Sequence, residues 1–245
     1  MRATFALVAS VLLAQQTIAA EAPCRGTPAG NGVVAAVTDG RTLKLADSRQ
    51  VRLAAIEAPS DGMALRTLAS GQALRLERIS DDRYGRLVAY AYRDGDEKPL
   101  QFALLETGQA RVSARAGGKA CADALLASER GARAAKQGLW SDPNFAPLSS
   151  ENLAGLSAAR RHFALVEGQV LSVRESGATI YVNFGRRWTR DFTVTILKRQ
   201  KRSFAAAGID VDRLKGRRVR VRGVIEQRGG PIVEALAPEQ IEPLD

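Results

Sequence analysis

Residues 39–45, Asp39-Gly40-Arg41-Thr42-Leu43-Lys44-Leu45, join an Asp-Gly turn to the start of an alternating strand. Such a turn is a common way to hold a carboxylate over a metal ion, but its third residue is an arginine, so the chemistry on offer is anion binding. A second cationic candidate is the run GRRVRVRG at residues 216–223, in which Arg218, Arg220 and Arg222 alternate with Val219 and Val221. On a strand the three arginines share one face, where they can bind a polyanion backbone, while the valines enter the core. His162, the single histidine, follows two arginines in Arg160-Arg161-His162 and is expected to be solvated.

These residues need a folded frame, and 245 residues at 45% hydrophobic and 25% charged content supply one large core or two small ones. The formal net charge of +10 implies attraction to polyanions such as nucleic acid. Most of the excess lies late in the chain, since residues 160–245 hold 17 Lys and Arg against 10 Asp and Glu. Arg2 followed by the apolar run FALVASVLLA at 5–14 is too short to span a bilayer and reads as a signal peptide over 1–20, cleaved between Ala20 and Ala22. A periplasmic or secreted protein without stable membrane insertion is expected. The two cysteines, Cys24 and Cys121, both follow that segment, and a chain sent to an oxidising compartment is expected to join them in one disulfide.

Strand-like runs at 32–37, 42–45 and 51–56 open the fold as a meander, and two more follow at 73–77 and 87–92. Helical spacing appears at 64–69, 100–107 and 123–136. The Pro- and Ser-rich stretch 141–159 reads as a linker. Beyond it, runs at 163–173, 179–184 and 192–196, a short helix at 200–207 and strands at 217–227 and 232–236 give the chain order of an OB-fold. The fold class is therefore mainly β with helices (α+β): a five-stranded OB-type barrel over 24–140, then a basic OB-like barrel over 160–245.

The opening meander, the run VRLAAIEAP at 51–59, the turn Asp82-Arg83-Tyr84-Gly85-Arg86 and a helix ending at Gly138-Leu139-Trp140 together resemble the thermonuclease (staphylococcal nuclease-like) family over about residues 32–140. The resemblance implies a five-stranded OB-type barrel with packed helices and calcium-dependent cleavage of DNA or RNA. It implies two metal-holding carboxylates, a glutamate base and two arginines facing the phosphate. The arginines are present as Arg52 and Arg86. The second metal carboxylate is Glu57, one methylene longer than the usual aspartate; the first is replaced by Arg41, and the base by Ser60.

Replacing a carboxylate by a guanidinium about 5 Å from a divalent ion opposes binding by roughly 3 kcal/mol even at the dielectric of water. The family's calcium is thus not expected here, no metal ligands are assigned, and Arg41 with Arg52 and Arg86 forms a cluster suited to phosphate. Three functions are open on this reading. The first is an exported protein that binds nucleic acid or another polyanion with hydrolysis lost. The second is a phosphodiesterase rebuilt around Arg52, Glu57 and Arg86 acting with Asp61 or an unusual metal, and the third is an envelope structural or scaffolding module.

Overall fold

Short β-branched runs broken by glycine turns wrap the first half of the chain into a barrel. The computed structural model describes residues 23–244, so the expected signal peptide lies outside the described residues. The first strands are β1 (Thr27–Asp39), β2 (Thr42–Leu45), β3 (Gln50–Leu53) and β4 (Ile56–Glu57), followed by α1 (Met63–Ala69). Then come β5 (Ala73–Asp81), β6 (Leu87–Arg93), α2 (Leu100–Glu106), β7 (Arg111–Val112) and α3 (Lys119–Ala134). The barrel closes in the order β1-β2-β3-β6-β5, with β5 returning to β1, while β4 and β7 form a separate two-stranded ladder. Alternate residues Leu43, Leu45, Val51, Leu53, Leu74 and Leu76 fill its interior, as the period of two requires. Among the described residues no helix is long and apolar enough to cross a membrane.

Gly40 is required by close approach, because a Cβ there would sit 2.1 Å from the Pro59 carbonyl oxygen. Its absence lets the β1–β2 turn, with Asp39 and Arg41, lie against residues 58–59.

Cys24 and Cys121 are joined in the expected disulfide, with Cα atoms 4.5 Å apart. It ties the segment before β1 to the first turn of α3, which starts at Lys119, four residues before the expected position. The bond spans 97 residues of chain, so the Cys24→Ser, Cys121→Ser variant is expected to lose about 2–4 kcal/mol of stability, measured by urea unfolding. Alkylation of the unreduced protein should label neither cysteine.

The stretch expected to be a linker is partly structured. It holds β8 (Leu148–Ser149) and α4 (Leu153–Ala158), and Leu156 is fully buried in the second core. Asn152 caps α4, its Oδ1 accepting the Gly155 N–H at 2.9 Å. The chain continues through β9 (Phe163–Gln169), β10 (Ser172–Ser176), β11 (Thr179–Asn183), β12 (Thr193–Leu197) and α5 (Lys201–Ala206). The last strands are β13 (Arg218–Val224), β14 (Glu226–Arg228), β15 (Gly230–Glu234) and β16 (Ile241–Pro243).

One sheet runs β10-β11-β12-β15-β14 and the other β16-β13-β9-β8. At Val170 and Leu171 the backbone switches partner from Arg217 to Asn183, so β9 and β10 act as one bent strand shared by both sheets. β13 passes into β14 through Ile225 in the same way. Two sheets thereby wrap one core in the expected chain order.

The arginine strand alternates as expected, but its arginine face is not a free polyanion surface. Val219 and Val221 are buried in the second core. Arg222 is wholly buried, its Nη1 donating to Glu129 of α3 at 2.8 Å and to the Val112 carbonyl at 3.2 Å, and its Nη2 to Glu242 at 3.1 Å. Arg220 bonds Glu167 at 2.6 Å and Glu242 at 3.0 Å, and Arg218 alone of the three is largely exposed. The cause is Glu129, a fully buried carboxylate that α3 presents to β13 and that needs a cation. Strand periodicity tells which face a residue occupies and leaves open whether that face meets water or another element.

Candidate functional site

The open end of the first barrel gathers the cationic residues. Arg52 sits between inward-facing Val51 and Leu53 on β3 and therefore projects outward, half-buried, with Thr42 of β2 on one side and Val88 of β6 on the other. Arg41 occupies the β1–β2 turn. Asp39 fixes that turn, its Oδ1 accepting the Arg41 N–H at 2.9 Å, and the Arg41 carbonyl accepts from the Leu53 N–H at 2.7 Å.

Glu57 reaches the same region because the chain bends sharply after β3. Ala55, a non-glycine residue, holds φ at 60°, a conformation that costs energy and persists only when its surroundings enforce it. They do so here: the Ala54 N–H donates to the Ala89 carbonyl at 2.9 Å and the Ser113 N–H to the Ala55 carbonyl at 2.8 Å. β4 is thus set beside β7, with Glu57 opposite Arg111.

The outcome is an ion pair between the Arg41 guanidinium and the Glu57 carboxylate, and Arg41 Nη1 also donates to the Ile56 carbonyl at 3.0 Å. Both side chains are 21% exposed. Burial pulls Arg41 below the usual guanidinium value; Glu57 opposes that pull, while the nearby charges of Arg52 and Arg86 add to it. Burial likewise lifts the Glu57 carboxyl above the usual carboxylate range, against the attraction of Arg41, Arg52 and Arg111. Desolvation therefore outweighs pairing for both partners, and this pair is a poor source of stability.

Arg86 follows the left-handed Gly85, at φ 74°. Its Nε donates to Asp82 Oδ2 at 2.7 Å, while Asp82 Oδ1 accepts the backbone N–H groups of Tyr84 and Arg86 at 2.9 and 3.1 Å. Arg41, Arg52, Asp82 and Arg115 line a shallow hollow of about 190 Å³ at this end of the barrel. Arg86 is not among the lining residues; paired with Asp82, it acts on Arg41 by its charge.

The structure thus brings Arg41, Arg52, Glu57 and Arg86 within electrostatic reach of one another, though only Arg41 and Arg52 of these line the hollow, and it leaves Ser60 and Asp61 outside it. Both are exposed. Asp61 accepts the Met63 N–H at 3.0 Å at the start of α1 and lines a separate hollow with Gly40, Pro59 and Met63. His162 is exposed, with Nδ1 3.0 Å from the Arg160 carbonyl.

Sequence reasoning missed Arg111, Asp82 as a positioning group, and Arg115. Arg111 is 8% exposed and lies over the rings of Phe145 and Phe163 at 5.2 and 4.9 Å. Asp82 could have been found from its place in the Asp82–Arg86 turn; a two-residue strand such as β7 leaves no periodic signal. Among the described residues no three His, Cys, Asp or Glu side chains converge where they could hold a metal ion.

Comparison with known proteins points the same way as this geometry. A family model described as staphylococcal nuclease homologue matches residues 50–142. A protein of Shigella flexneri named micrococcal nuclease is 32% identical over 135 residues, covering 46% of this chain and 75% of that protein. Two proteins named uncharacterized endonuclease, from Escherichia coli O157:H7 and Escherichia coli, are each 29% identical over 128 residues, covering 48% of this chain and 81% of theirs. With a closed five-stranded barrel that carries Arg52, Glu57 and Arg86 at one end, the chain belongs to the family of staphylococcal nuclease homologues.

Proposed function

We propose that this is an exported nucleic-acid-binding protein whose first barrel, over 24–140, has exchanged calcium-dependent phosphodiester hydrolysis for metal-independent phosphate binding. The observation that carries the reading is the ion pair between Arg41 and Glu57. A hard divalent cation needs several oxygen ligands. Here Glu57, Asp81 and Asp82 already hold the guanidinium groups of Arg41, Arg78 and Arg86, and Asp39 is engaged with its own turn. Calcium does not fit this donor set. The cationic side chains do suit a phosphodiester: Arg52 offers planar N–H donors, while Arg41 and Arg86 add charge and keep their pairs with Glu57 and Asp82. The apolar run at 5–14 supports export, as does a disulfide at Cys24 and Cys121, which persists in oxidising compartments.

Fluorescence anisotropy with a labelled single-stranded oligonucleotide tests the reading. The Arg52→Ala, Arg86→Ala variant is expected to bind more weakly and to show a shallower slope of log K against log salt, by about 0.7 for each phosphate no longer neutralised. Affinity should also rise as pH falls toward the elevated Glu57 value, because protonation removes the negative charge nearest Arg41. Unchanged affinity and slope in the double variant would refute phosphate binding at this site. Calcium-stimulated cleavage by the unaltered protein, abolished by Arg86→Ala, would show instead that the site hydrolyses its ligand.

A further inference from the structure

The outer face of the sheet β10-β11-β12-β15-β14 carries a hollow of about 290 Å³. Its floor is formed by Tyr181 with Thr193 and Thr195, and Trp188, 68% exposed, stands at its edge. Its indole offers an apolar face for stacking and an N–H for a polar partner.

The loop backbone that carries this residue is held in place. Asp191 Oδ2 accepts the Arg187 N–H at 2.8 Å, and the Arg187 carbonyl accepts the N–H groups of Arg190 and Asp191 at 2.9 and 2.7 Å. Gly230 permits the loop to rest directly on β15, since a Cβ there would lie 2.7 Å from the Asp191 carbonyl oxygen and 3.0 Å from that of Trp188. Two aromatic rings, one in the sheet and one on a fixed loop, therefore border the same hollow.

Of the lining residues Arg228 and Glu234 are charged and pair at 3.7 Å, while the exposed charges on the neighbouring loop are arginines. Arg186, Arg187 and Arg190 are exposed on the loop, and exposed Arg174 of β10 stands directly opposite Tyr181 in register, hence on its face. The carboxylates nearby are already engaged. Glu226 and Glu234 pair with Arg228 at 2.8 and 3.7 Å, and Asp191 serves the loop backbone. A neutral ligand that stacks on aromatic rings, such as a glycan, would have no use for these arginines. An unpaired base with its flanking phosphates uses both features, the rings for the base and the rim for the backbone. The volume lies near the ~300 Å³ lower bound of small-ligand pockets and suits one base better than a folded polymer.

We infer that this hollow is a stacking site for an unpaired base of single-stranded nucleic acid, held between Tyr181 and Trp188 with the arginine rim on the adjoining phosphates. The inference rests on the reading that the protein binds nucleic acid, and it adds a second binding point on the C-terminal half, remote in sequence from the family-matched residues.

The test compares a fluorescent 15-nucleotide oligothymidylate with an abasic sugar-phosphate oligomer of equal length. The Tyr181→Ala, Trp188→Ala variant should bind oligothymidylate roughly 5- to 150-fold more weakly and the abasic oligomer as the wild type does. The Tyr181→Phe, Trp188→Phe variant, which keeps both rings, should bind both as the wild type does. Trp188→Leu alone alters only an exposed side chain, so it repeats the test should the alanine pair misfold, and it is expected to lose part of the oligothymidylate affinity.

Wild-type-like oligothymidylate binding by the folded alanine pair and by Trp188→Leu would overturn the inference. The binding reading would then stand if Arg52→Ala, Arg86→Ala still lost affinity. Equal loss on both oligomers would also overturn it, since stacking requires bases. Binding of a neutral chitin oligosaccharide that the alanine pair loses, with oligothymidylate unaffected, would assign the hollow to glycans. No binding of either nucleic acid by the wild type would overturn inference and reading together.

Discussion

Glu129→Ala is expected to lower the free energy of unfolding by about 3–5 kcal/mol, the penalty for leaving a buried charge without its partner. The Glu129 carboxylate is fully buried and accepts from Arg222 at 2.8 Å, from Arg133 at 2.6 Å and from the Val112 N–H at 2.6 Å. Truncation strands Arg222 in the interior with only Glu242 and one carbonyl, and it orphans the Val112 donor. Urea unfolding followed by circular dichroism gives the midpoint and slope needed. Glu129→Gln should be milder because it keeps an acceptor. Glu129→Leu with Arg222→Met should recover much of the loss, since apolar replacement of a buried pair is often neutral or better. A loss below about 1 kcal/mol for Glu129→Ala would mean that water replaces the carboxylate and that the two halves are held together by other interactions.

The second large effect is a gain. Arg41→Asp with Ser60→Glu is expected to confer calcium-dependent cleavage of single-stranded DNA on a protein that is expected to show none unaltered. Arg52 and Arg86 already stand at the barrel end, so the electrostatic half of the chemistry is in place. Removing Arg41 frees Glu57 and restores a second carboxylate beside it, while Ser60→Glu supplies a proton acceptor that a serine hydroxyl cannot. Ser60 is exposed outside the hollow and directly follows Pro59, which packs against Gly40 of the turn that carries Arg41, so the added glutamate has that gap to span. Neither change alone should suffice, because water activation needs the metal and the base together. The extra methylene of Glu57 limits the rate. Release of acid-soluble nucleotide with calcium or chelator measures it, and the same rate with and without calcium in the double variant would contradict the account.

Much of the barrel was legible because its strands alternate and its turns carry Asp-Gly or Gly signals; β2, β5, β6 and α2 begin where expected. The long run at 163–173 gave no sign of its break into β9 and β10, since a strand that bends from one sheet to the next keeps its apolar pattern through the corner. The linker reading rested on proline and serine, which here serve short turns on either side of β8 and a capped α4. At the site, the residue types of Arg41, Arg52, Glu57 and Arg86 were legible from motif order. The pairing of Arg41 with Glu57 was not, because it depends on a bend at Ala55 that no glycine announces. The destination of Arg220 and Arg222 was hidden for a related reason: their partners lie far off in sequence, Glu129 93 residues from Arg222 and Glu167 53 residues from Arg220.

α3 is fastened at two points on one shaft. Cys121 secures its first turn covalently to the segment ahead of β1, and Glu129, eight residues on, secures it by charge to β13. At 1.5 Å per residue these fastenings are about 12 Å apart along the axis, so the helix works as a lever with a covalent fulcrum and an ionic grip. The covalent end is indifferent to salt and sensitive to reductant, while the ionic end, being buried, is shielded from both. The helix that supplies the buried anion for the second half is thereby the same helix that the disulfide ties to the first barrel.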